Sequence, residues 1–407
     1  MKKSLLWIVV LILSISMVTA FSLYGCKPKA AAAAEEAVAP AEEEAVPVEE
    51  EITEEPEENL VQVNGMLWGM EPLPEKTTLV MAYIGSTSPP LTNYIAMQKG
   101  WLEAVNLEIE PILFPNGPAQ MEATASWDCG STGIGGVITG VVGHDLKIIG
   151  TAGRDEGGHQ AFFARPDSPI VEAGKGHTDI PELYGTAETW KEAEILCAKG
   201  TTNEYVLYKT IQAFGLTMDE VNVVNMDIAT ANTAFMAGQG DVVGVWGPLL
   251  YDEDKKDLVM VSNDAWIKTG IVTNYMASTR GWENQKEAIE KWLEITIMAG
   301  EWVMENVQEA AEYMVAMNEE DGYTTTVEDS FKIIEDNPFA TLEENYGYYT
   351  QMTDEGDMLI AESQVYNPTT VFVEMGNFTE EQLDKLLAGN NFLPDPIINI
   401  YNRVIGN

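Results

Sequence analysis

Four short clusters of glycine and hydroxyl residues follow predicted β-strands, at residues 85–90, 130–133, 153–155 and 200–203. Serine and threonine hydroxyls and exposed backbone N–H groups are donors suited to carboxylate, sulfonate or nitro-type oxygens. Any one cluster could instead be only a tight turn or a helix cap. Together they predict a polar cleft at the carboxyl ends of the strands. Its candidate hydroxyl donors are Ser86, Thr87, Ser131, Thr132, Thr201 and Thr202.

Three further side chains lie at strand ends where they could add to such a site. The guanidinium of Arg154 could hold a carboxylate or sulfonate through two hydrogen bonds, or could only pair with the neighbouring Asp155 and Glu156. Asp227 could bind an ammonium group, or could be only the negative charge at the start of the next helix. Trp246 could pack on the carbon part of a ligand.

The composition argues against several other functions. The 407 residues include 22 Lys and Arg against 65 Asp and Glu, so the net charge of −43 would repel nucleic acid. The three histidines and three cysteines show no metal-ligand or thiol-catalyst spacing, so we expect no metal, no cofactor and no enzymatic activity. A disulfide between Cys129 and Cys197 is conceivable outside the cell, but we expect buried free thiols.

The elements that would position these residues alternate between short apolar runs and longer stretches with helical spacing, which predicts an α/β fold. Predicted strands of the first half are 78–84, 107–114, 128–129 and 146–151. After an extended segment at 160–165 the pattern starts again. Predicted strands of the second half are 194–198, 221–226, 242–246 and 258–261. A strand at 270–277 then leads into a helix at 283–306, and helix dominates the rest of the chain.

The first 26 residues predict a lipoprotein signal peptide. An apolar run follows two lysines, and the Leu-Tyr-Gly-Cys sequence at 23–26 resembles a lipobox in which Cys26 would be lipidated. An uncleaved anchor helix with an incidental cysteine is the alternative. Residues 27–76 are predicted to be an acidic disordered tether, because the Ala-, Glu- and Pro-rich part has little apolar surface to bury. Binding of a cation or a partner by this tether is the alternative.

Several motifs, in this order and spacing, resemble the solute-binding proteins of ABC importers in the nitrate, sulfonate and taurine branch of the type II periplasmic-binding fold. The resemblance covers about residues 78–281. The motifs are QKGWL at 98–102, DCGSTG at 128–133, LKIIG at 146–150, KGTTNEY at 199–205, AGQGD at 237–241 and VWGP at 245–248. Residues 177–191 look like an insertion, and the region beyond residue 318 matches no part of the family pattern.

The resemblance implies two lobes joined by a hinge of two crossing segments, near residues 163–166 and 269–273, with a helical C-terminal region on the first lobe. Lobe 1 would comprise 77–165 and 271–407, and lobe 2 would comprise 166–270. The family's ligand loops correspond to Ser86 and Thr87, Ser131 and Thr132, Thr201 and Thr202, and Trp246 in this sequence.

The expected function is therefore that of a monomeric extracytoplasmic receptor, lipid-anchored to the outer face of the cytoplasmic membrane. It would close over a small polar solute, sulfonate- or taurine-like or amino acid-like, and deliver it to an ABC permease with its ATPase subunits. Two alternatives are an enzyme on the same fold, such as a thiamine pyrimidine-precursor synthase, and a ligand-binding subunit for a sensor.

Overall fold

The computed structural model describes residues 61–63, 66–68, 70–85, 87–153, 158–251, 255–388 and 391–405. The expected signal peptide, Cys26 and most of the expected tether lie outside the described residues, as do Ser86 and Arg154. No helix of the described part is long and apolar enough to cross a membrane.

Five strands form the sheet of lobe 1, in the spatial order β4-β3-β5-β12-β6. Strand β4 lies at the edge of the sheet, and its buried Leu107 and Ile109 alternate with exposed Glu108 and Glu110. This alternation is expected of a strand that has one face in the core and one face in solvent. The first three strands of the order are parallel, whereas β12 runs antiparallel between β5 and β6. The strands are β3 (Thr77–Ile84), β4 (Leu107–Phe114), β5 (Cys129–Gly133), β6 (Lys147–Gly153) and β12 (Thr273–Ala277).

Five strands also form the sheet of lobe 2, in the order β11-β7-β10-β8-β9. Every residue of β10 is buried, which fits its central position between β7 and β8. Strand β7 is antiparallel to both of its neighbours, β10 and β11. The strands are β7 (Gln160–Ala164), β8 (Glu194–Cys197), β9 (Asn222–Asn225), β10 (Val242–Trp246) and β11 (Val259–Asn263). A separate antiparallel pair, β1 (Val61–Val63) and β2 (Met66–Trp68), precedes both sheets.

Helices connect and cover the strands, so the expected α/β class is confirmed. The helices up to the second crossing are α1 (Pro90–Gln98), α2 (Trp101–Ala104), α3 (Gly117–Glu122), α4 (Ile134–His144), α5 (Pro169–Ala173), α6 (Ala187–Glu192), α7 (Thr202–Ala213), α8 (Ile228–Met236) and α9 (Asp264–Ile267). The C-terminal helices are α10 (Thr279–Glu305), α11 (Val307–Glu320), α12 (Val327–Asp336), α13 (Leu342–Thr350), α14 (Ile360–Glu374), α15 (Glu380–Ala388) and α16 (Asp395–Val404).

The first crossing between the lobes lies earlier than the sequence predicts. Residues 163–166 were expected to cross, but Phe163 and Ala164 belong to β7, an inner strand of the lobe 2 sheet. Residues 154–159 therefore join β6 of lobe 1 to β7 of lobe 2. An apolar strand that is buried on both faces looks the same in sequence whichever sheet it joins. The second crossing follows α9 and ends at Thr273, in the expected region.

The folded part also begins earlier than residue 77, where the tether was expected to end. Met70 and Leu73 are buried in the core of lobe 1, and the Leu73 N–H donates to Val105 O at 3.0 Å. The boundary of the tether must therefore lie before Met70. Because the preceding stretch is strongly acidic, the sequence gives no clear signal that Met70 and Leu73 belong to the core.

The segment at 177–191 is part of the packing of lobe 2. Trp190 is fully buried, and its indole N–H donates to Tyr184 O at 2.9 Å. Cys129 and Cys197 are buried free thiols, one in each sheet, as expected. Burial raises the pKa of both thiols well above the usual value.

The C-terminal helices pack on lobe 1 but also contact lobe 2. On the lobe 2 side, the Tyr205 and Phe372 rings stack with centroids 5.9 Å apart, and the Tyr208 hydroxyl donates to Glu374 Oε2 at 2.8 Å. On the lobe 1 side, the Lys385 ammonium donates to Val142 O. Helices α14 and α15 therefore fasten the two lobes to each other on the side where α4 and α7 lie.

Alkaline pH should weaken this fastening. Burial first, and then the hydrogen bond to Glu374, raises the pKa of Tyr208 to about 12. The stabilisation is therefore present below the unfolded-state pKa of about 10 and is lost as the pH rises from about 10 to about 12. Tyr208→Phe should lower the free energy of unfolding by about 1 kcal/mol near neutral pH and reduce its alkaline loss.

Urea unfolding near neutral pH and at about pH 11 measures both effects. Tyr366→Phe, on the same helix α14, is the matched control. An equal alkaline loss in the wild type and in Tyr208→Phe would show that this hydroxyl is not responsible.

Candidate functional site

A cleft lies where the carboxyl ends of the parallel strands of both lobes face each other, and it encloses about 970 Å³ when its open mouth is included. Both lobes and the C-terminal region contribute. The lining residues are Ile84, Thr87, Ser88, Pro89, Gly117, Pro118, Ser131, Thr132, Gly133, Gly135, Gly136, Gly153, His159, Gln160, Thr201, Thr202, Trp246, Gly247, Ile271, Thr273, Ile333, Asn337 and Phe339.

Most of the candidate residues meet in this cleft. The six that line it are Thr87, Ser131, Thr132, Thr201, Thr202 and Trp246. Ser86 and Arg154 lie outside the described residues, so their candidate roles stay predictions. Asp227 is not among the lining residues, and its carboxylate caps α8 by accepting from Thr230 N at 3.0 Å and from Thr230 Oγ1 at 2.7 Å. The local role of Asp227 as a helix cap is thus observed, and its role in binding an ammonium group stays a prediction.

On lobe 1, the hydroxyls come from the strand itself. Residues 130–133 were expected to be a loop after a two-residue strand, but β5 continues to Gly133 because β12 pairs along its whole length. Thr132 is buried, and its Oγ1 has no hydrogen-bond partner among the described residues. A Cβ at Gly136 would come within 2.3 Å of this oxygen, so glycine leaves the hydroxyl room.

Helix α4 begins directly after Thr132 and Gly133 without a side-chain cap. Its first-turn residues Gly135 and Gly136 line the cleft. Uncapped N–H groups at a helix start carry the positive end of the helix dipole and favour an anion. The N-terminal end of α4 therefore adds backbone donors next to the Thr132 hydroxyl.

On lobe 2, Thr201 and Thr202 have different roles. The Thr201 hydroxyl accepts from Asn203 N at 3.2 Å and donates to Ala198 O at 2.6 Å, so it caps α7. Thr202 is the first residue of that helix and lines the cleft. The sequence could not show which of the two threonines caps the helix, because a threonine hydroxyl can serve either as a cap or as a ligand donor.

Two buried side chains among the lobe 2 lining residues each carry a polar atom without a protein partner. They are the Trp246 indole N–H and the Gln160 side-chain oxygen, which belong to paired positions of β10 and β7. Buried polar groups normally have a hydrogen-bond partner, so these two atoms point to a bound molecule. Gln160 was not predicted as a site residue, because residues 160–165 were predicted to be an extended segment and not a strand of a sheet.

His159 also lines the cleft and was missed in the sequence. Its Nδ1 lies 3.2 Å from Asp264 Oδ2, and the other Asp264 oxygen accepts from Gly158 N at 2.8 Å. Asp264 is nearly fully buried. Because Gly158 lies in the first crossing and Asp264 begins α9, the helix that precedes the second crossing, this carboxylate links the first crossing to the helix that leads into the second.

The described lining contains no Lys, Arg, Asp or Glu. Hydroxyls, backbone N–H groups, one imidazole, one indole and the side-chain amides of Gln160 and Asn337 therefore supply the polar chemistry there. Such a site can hold an oxyanion through neutral donors, and it offers no carboxylate to an ammonium group.

The lobes touch each other at the hydroxyl end of the cleft. A Cβ at Gly135 of lobe 1 would lie 2.0 Å from the Gly200 carbonyl oxygen of lobe 2. A Cβ at Gly133 would lie 3.3 Å from Thr202 Cγ2, and one at Gly200 would lie 3.3 Å from Pro118 Cγ. The lobes are therefore closed over this end.

Both lobes are α/β and have the same strand order, and two crossing segments join them around a cleft. This arrangement defines the type II periplasmic-binding-protein fold. The alkanesulfonate-binding protein SsuA from Xanthomonas axonopodis pv. citri bound to MOPS superposes with a TM-score of 0.60, at 16% identity, over 79% of this chain and 99% of that one. The nitrate-binding protein NrtA from Synechocystis gives a TM-score of 0.61, at 12% identity, over 82% of this chain and 90% of that one.

The sequence comparisons agree with the fold. The chain is 24% identical over 244 residues to an ABC transporter periplasmic binding protein of Brachyspira hyodysenteriae, covering 60% of this chain and 70% of the relative. It is 27% identical over 238 residues to an aliphatic sulfonates-binding protein of Bacillus subtilis, covering 56% of this chain and 65% of the relative. No protein-family model matches the chain.

The expected resemblance to solute-binding proteins of the nitrate and sulfonate branch is thus confirmed. The chain has their fold and is a sequence relative of periplasmic binding proteins of ABC transporters. The desulfurization enzyme DszB shares the fold with a TM-score of 0.51, so the fold alone does not distinguish binding from catalysis.

Gly135→Ala should prevent closure, because the added methyl group would overlap the Gly200 carbonyl oxygen. We expect ligand affinity to fall by about tenfold to a hundredfold, the worth of a hydrogen bond to a charged group, and the radius of gyration with ligand present to be larger, since closure brings the donors of both lobes onto the ligand. Calorimetric titration measures the affinity, and small-angle scattering measures the radius of gyration.

Gly143→Ala is the matched control, because Gly143 lies on the same helix and its Cβ would meet nothing within 4 Å. Unchanged affinity in Gly135→Ala would mean that the Gly135–Gly200 contact is not required for binding.

Proposed function

We propose that this chain is the extracytoplasmic solute-binding protein of an ABC importer. The observation that carries the proposal is the set of buried, unpartnered polar atoms on both faces of the cleft: Thr132 Oγ1 on lobe 1, and Trp246 Nε1 and Gln160 Oε1 on lobe 2. An unmade buried hydrogen bond costs about 1–3 kcal/mol, so a ligand that pairs these atoms stabilises the closed form over the open one. No bond is made or broken in this function.

The ligand class that the site favours is a small organic oxyanion. Thr132 and the first turn of α4 supply donors to a negatively charged oxygen, and the Trp246 N–H adds a donor from the opposite lobe. The Gln160 side-chain oxygen is an acceptor, so it would pair with an O–H or N–H group of the ligand and not with the anionic oxygens. A sulfonate presents three such oxygens. The name of the Bacillus relative supports this class, whereas a taurine-like or amino acid-like zwitterion lacks a carboxylate partner in the described lining. Arg154 would strengthen anion binding if its guanidinium reaches the cleft beyond Gly153.

The partners in this proposal are the permease and ATPase subunits of the importer, which receive the solute from the closed receptor. Cys26 would carry the lipid anchor on the outer face of the membrane, and the acidic segment after it would let the receptor reorient. A monomer suffices, because both faces of the cleft come from one chain.

A thermal-unfolding panel tests the proposal directly. Purified protein is heated with alkanesulfonates, taurine, nitrate, amino acids and thiamine precursors. A ligand at 100 times its Kd should add roughly 2.7 kcal/mol, visible as a rise of a few degrees in Tm. If no compound raises Tm and mass spectrometry finds no co-purified small molecule, the receptor proposal is wrong.

Thr132→Val should separate ligand binding from stability. Because the Thr132 hydroxyl is buried without a protein partner, replacing it by a methyl group should leave Tm unchanged or raise it slightly. The same change should weaken binding of the best panel ligand about tenfold to a hundredfold, the worth of a hydrogen bond to a charged group.

Thr210→Val supplies the contrasting control. The Thr210 hydroxyl donates to Val206 O at 2.8 Å and contacts Ser262 Oγ at 2.6 Å, and Thr210 is not among the lining residues. Its loss should lower Tm and leave the ligand Kd unchanged. Calorimetric titration of both variants decides, and equal Kd values for Thr132→Val and the wild type would remove Thr132 from the site.

A further inference from the structure

The C-terminal region supplies a third wall of the cleft, which neither lobe sheet provides. Ile333 lies on α12, and Asn337 and Phe339 follow that helix. Ile333 and Phe339 are buried, whereas Asn337 is half-buried. All three lie beyond residue 318, in the region that matches no part of the family pattern.

This wall closes the cleft at the end opposite the hydroxyl groups. At the cleft edge of the lobe 1 sheet, Thr273 of β12 pairs with Gly133 on one side and with Gly153 on the other. Phe339 forms a bridge to Gly153 on the outer side of β6, and Ala340 N donates to Ala152 O at 3.1 Å. With neighbouring strands about 4.8 Å apart, Phe339 lies about 14 Å from Gly133. A single inorganic oxyanion spans only a fraction of that distance.

The chemistry of the lining changes along this length. Thr132, Gly135 and Thr202 place hydroxyl and N–H groups at the near end, where the lobes touch. Ile333 and Phe339 place aliphatic and aromatic surface at the far end, beside the Asn337 amide, whose nitrogen donates to Ile333 O at 2.9 Å. A ligand that fills the cleft therefore meets mainly polar groups at one end and mainly apolar surface at the other.

Contacts to both lobes hold the wall in place. The Tyr251 hydroxyl of lobe 2 donates to Asp336 Oδ2 at 2.9 Å, at the end of α12. The Tyr83 hydroxyl of lobe 1 donates to Asp321 Oδ1 at 2.6 Å, ahead of the same helix. Gly300 of α10 packs against Phe339, since a Cβ there would lie 3.1 Å from Phe339 Cβ. These contacts make the wall a fixed boundary that can select ligands by length.

We propose that Ile333, Asn337 and Phe339 select the ligand by the length of its apolar carbon body, which extends from an oxyanion head group held near Thr132. This inference rests on the proposed receptor function. It assigns ligand selectivity to the C-terminal region, outside the part of the chain that carries the family motifs.

The test is a Kd series with linear alkanesulfonates from methane- to octanesulfonate, with nitrate and sulfate as head groups that lack a carbon body. For the wild type, each added methylene should tighten binding by up to about fourfold until the chain meets the wall, beyond which affinity should fall. Asn337→Trp should move that maximum to a shorter chain, because it fills the far end. Phe339→Leu should move it to a longer one.

Phe331→Leu, on the same helix α12 but outside the lining, is the matched control and should leave the series unchanged. If Phe339→Leu fails to fold, as judged by circular dichroism, Asn337→Trp at its half-buried position decides alone. Binding without chain-length dependence, or an unmoved maximum in the wall variants, overturns this inference and leaves the receptor proposal intact. Failure of every compound to bind the wild type overturns the receptor proposal together with the inference.

Discussion

The cleft depends on one backbone contact, the approach of Gly135 at the start of α4 to the Gly200 carbonyl oxygen after β8. Any side chain at position 135 would hold the lobes apart, because backbone atoms of the opposite lobe occupy the space of its Cβ. The same approach brings Gly133, directly ahead of α4, close to Thr202, since a Cβ at Gly133 would lie 3.3 Å from Thr202 Cγ2.

The strong acidity of the chain does not extend to the described lining of this site. The net charge is −43, yet no acidic side chain is among the described lining residues. Donors that are neutral but fixed by strand and helix geometry can bind an anion inside a molecule that repels anions at long range, because short hydrogen bonds act locally. The overall charge therefore predicts the absence of nucleic-acid binding and carries little information about the ligand.

Local rules explain which parts of the site could be predicted from the sequence. Hydroxyl residues directly after strands, such as Thr201 and Thr202, were found because turns between strand and helix have a recognisable composition. The same rules could not foresee that Thr201 would use its hydroxyl as a cap while Thr132 kept an unpartnered one. That difference depends on which atoms lie nearby in space, and sequence spacing does not record it.

Long-range pairing explains what the sequence missed. β5 extends to Gly133 only because β12, about 140 residues later, pairs with it, and the first crossing was misplaced because β7 pairs inside lobe 2. Phe339 enters the cleft through a bridge to Gly153. No motif marks any of these residues, since each owes its place to a partner far away in the chain.

Strand β12 also sets the order in which the chain can fold. The lobe 2 sheet is built from one continuous stretch, β7 to β11, so all of its strands can pair as soon as that stretch is synthesised. The lobe 1 sheet instead lacks its inner strand until residues 273–277 exist, and β5 and β6 keep unpaired edges for that time. The N-terminal lobe is consequently the last to be completed, and it carries the greater exposure to aggregation during synthesis.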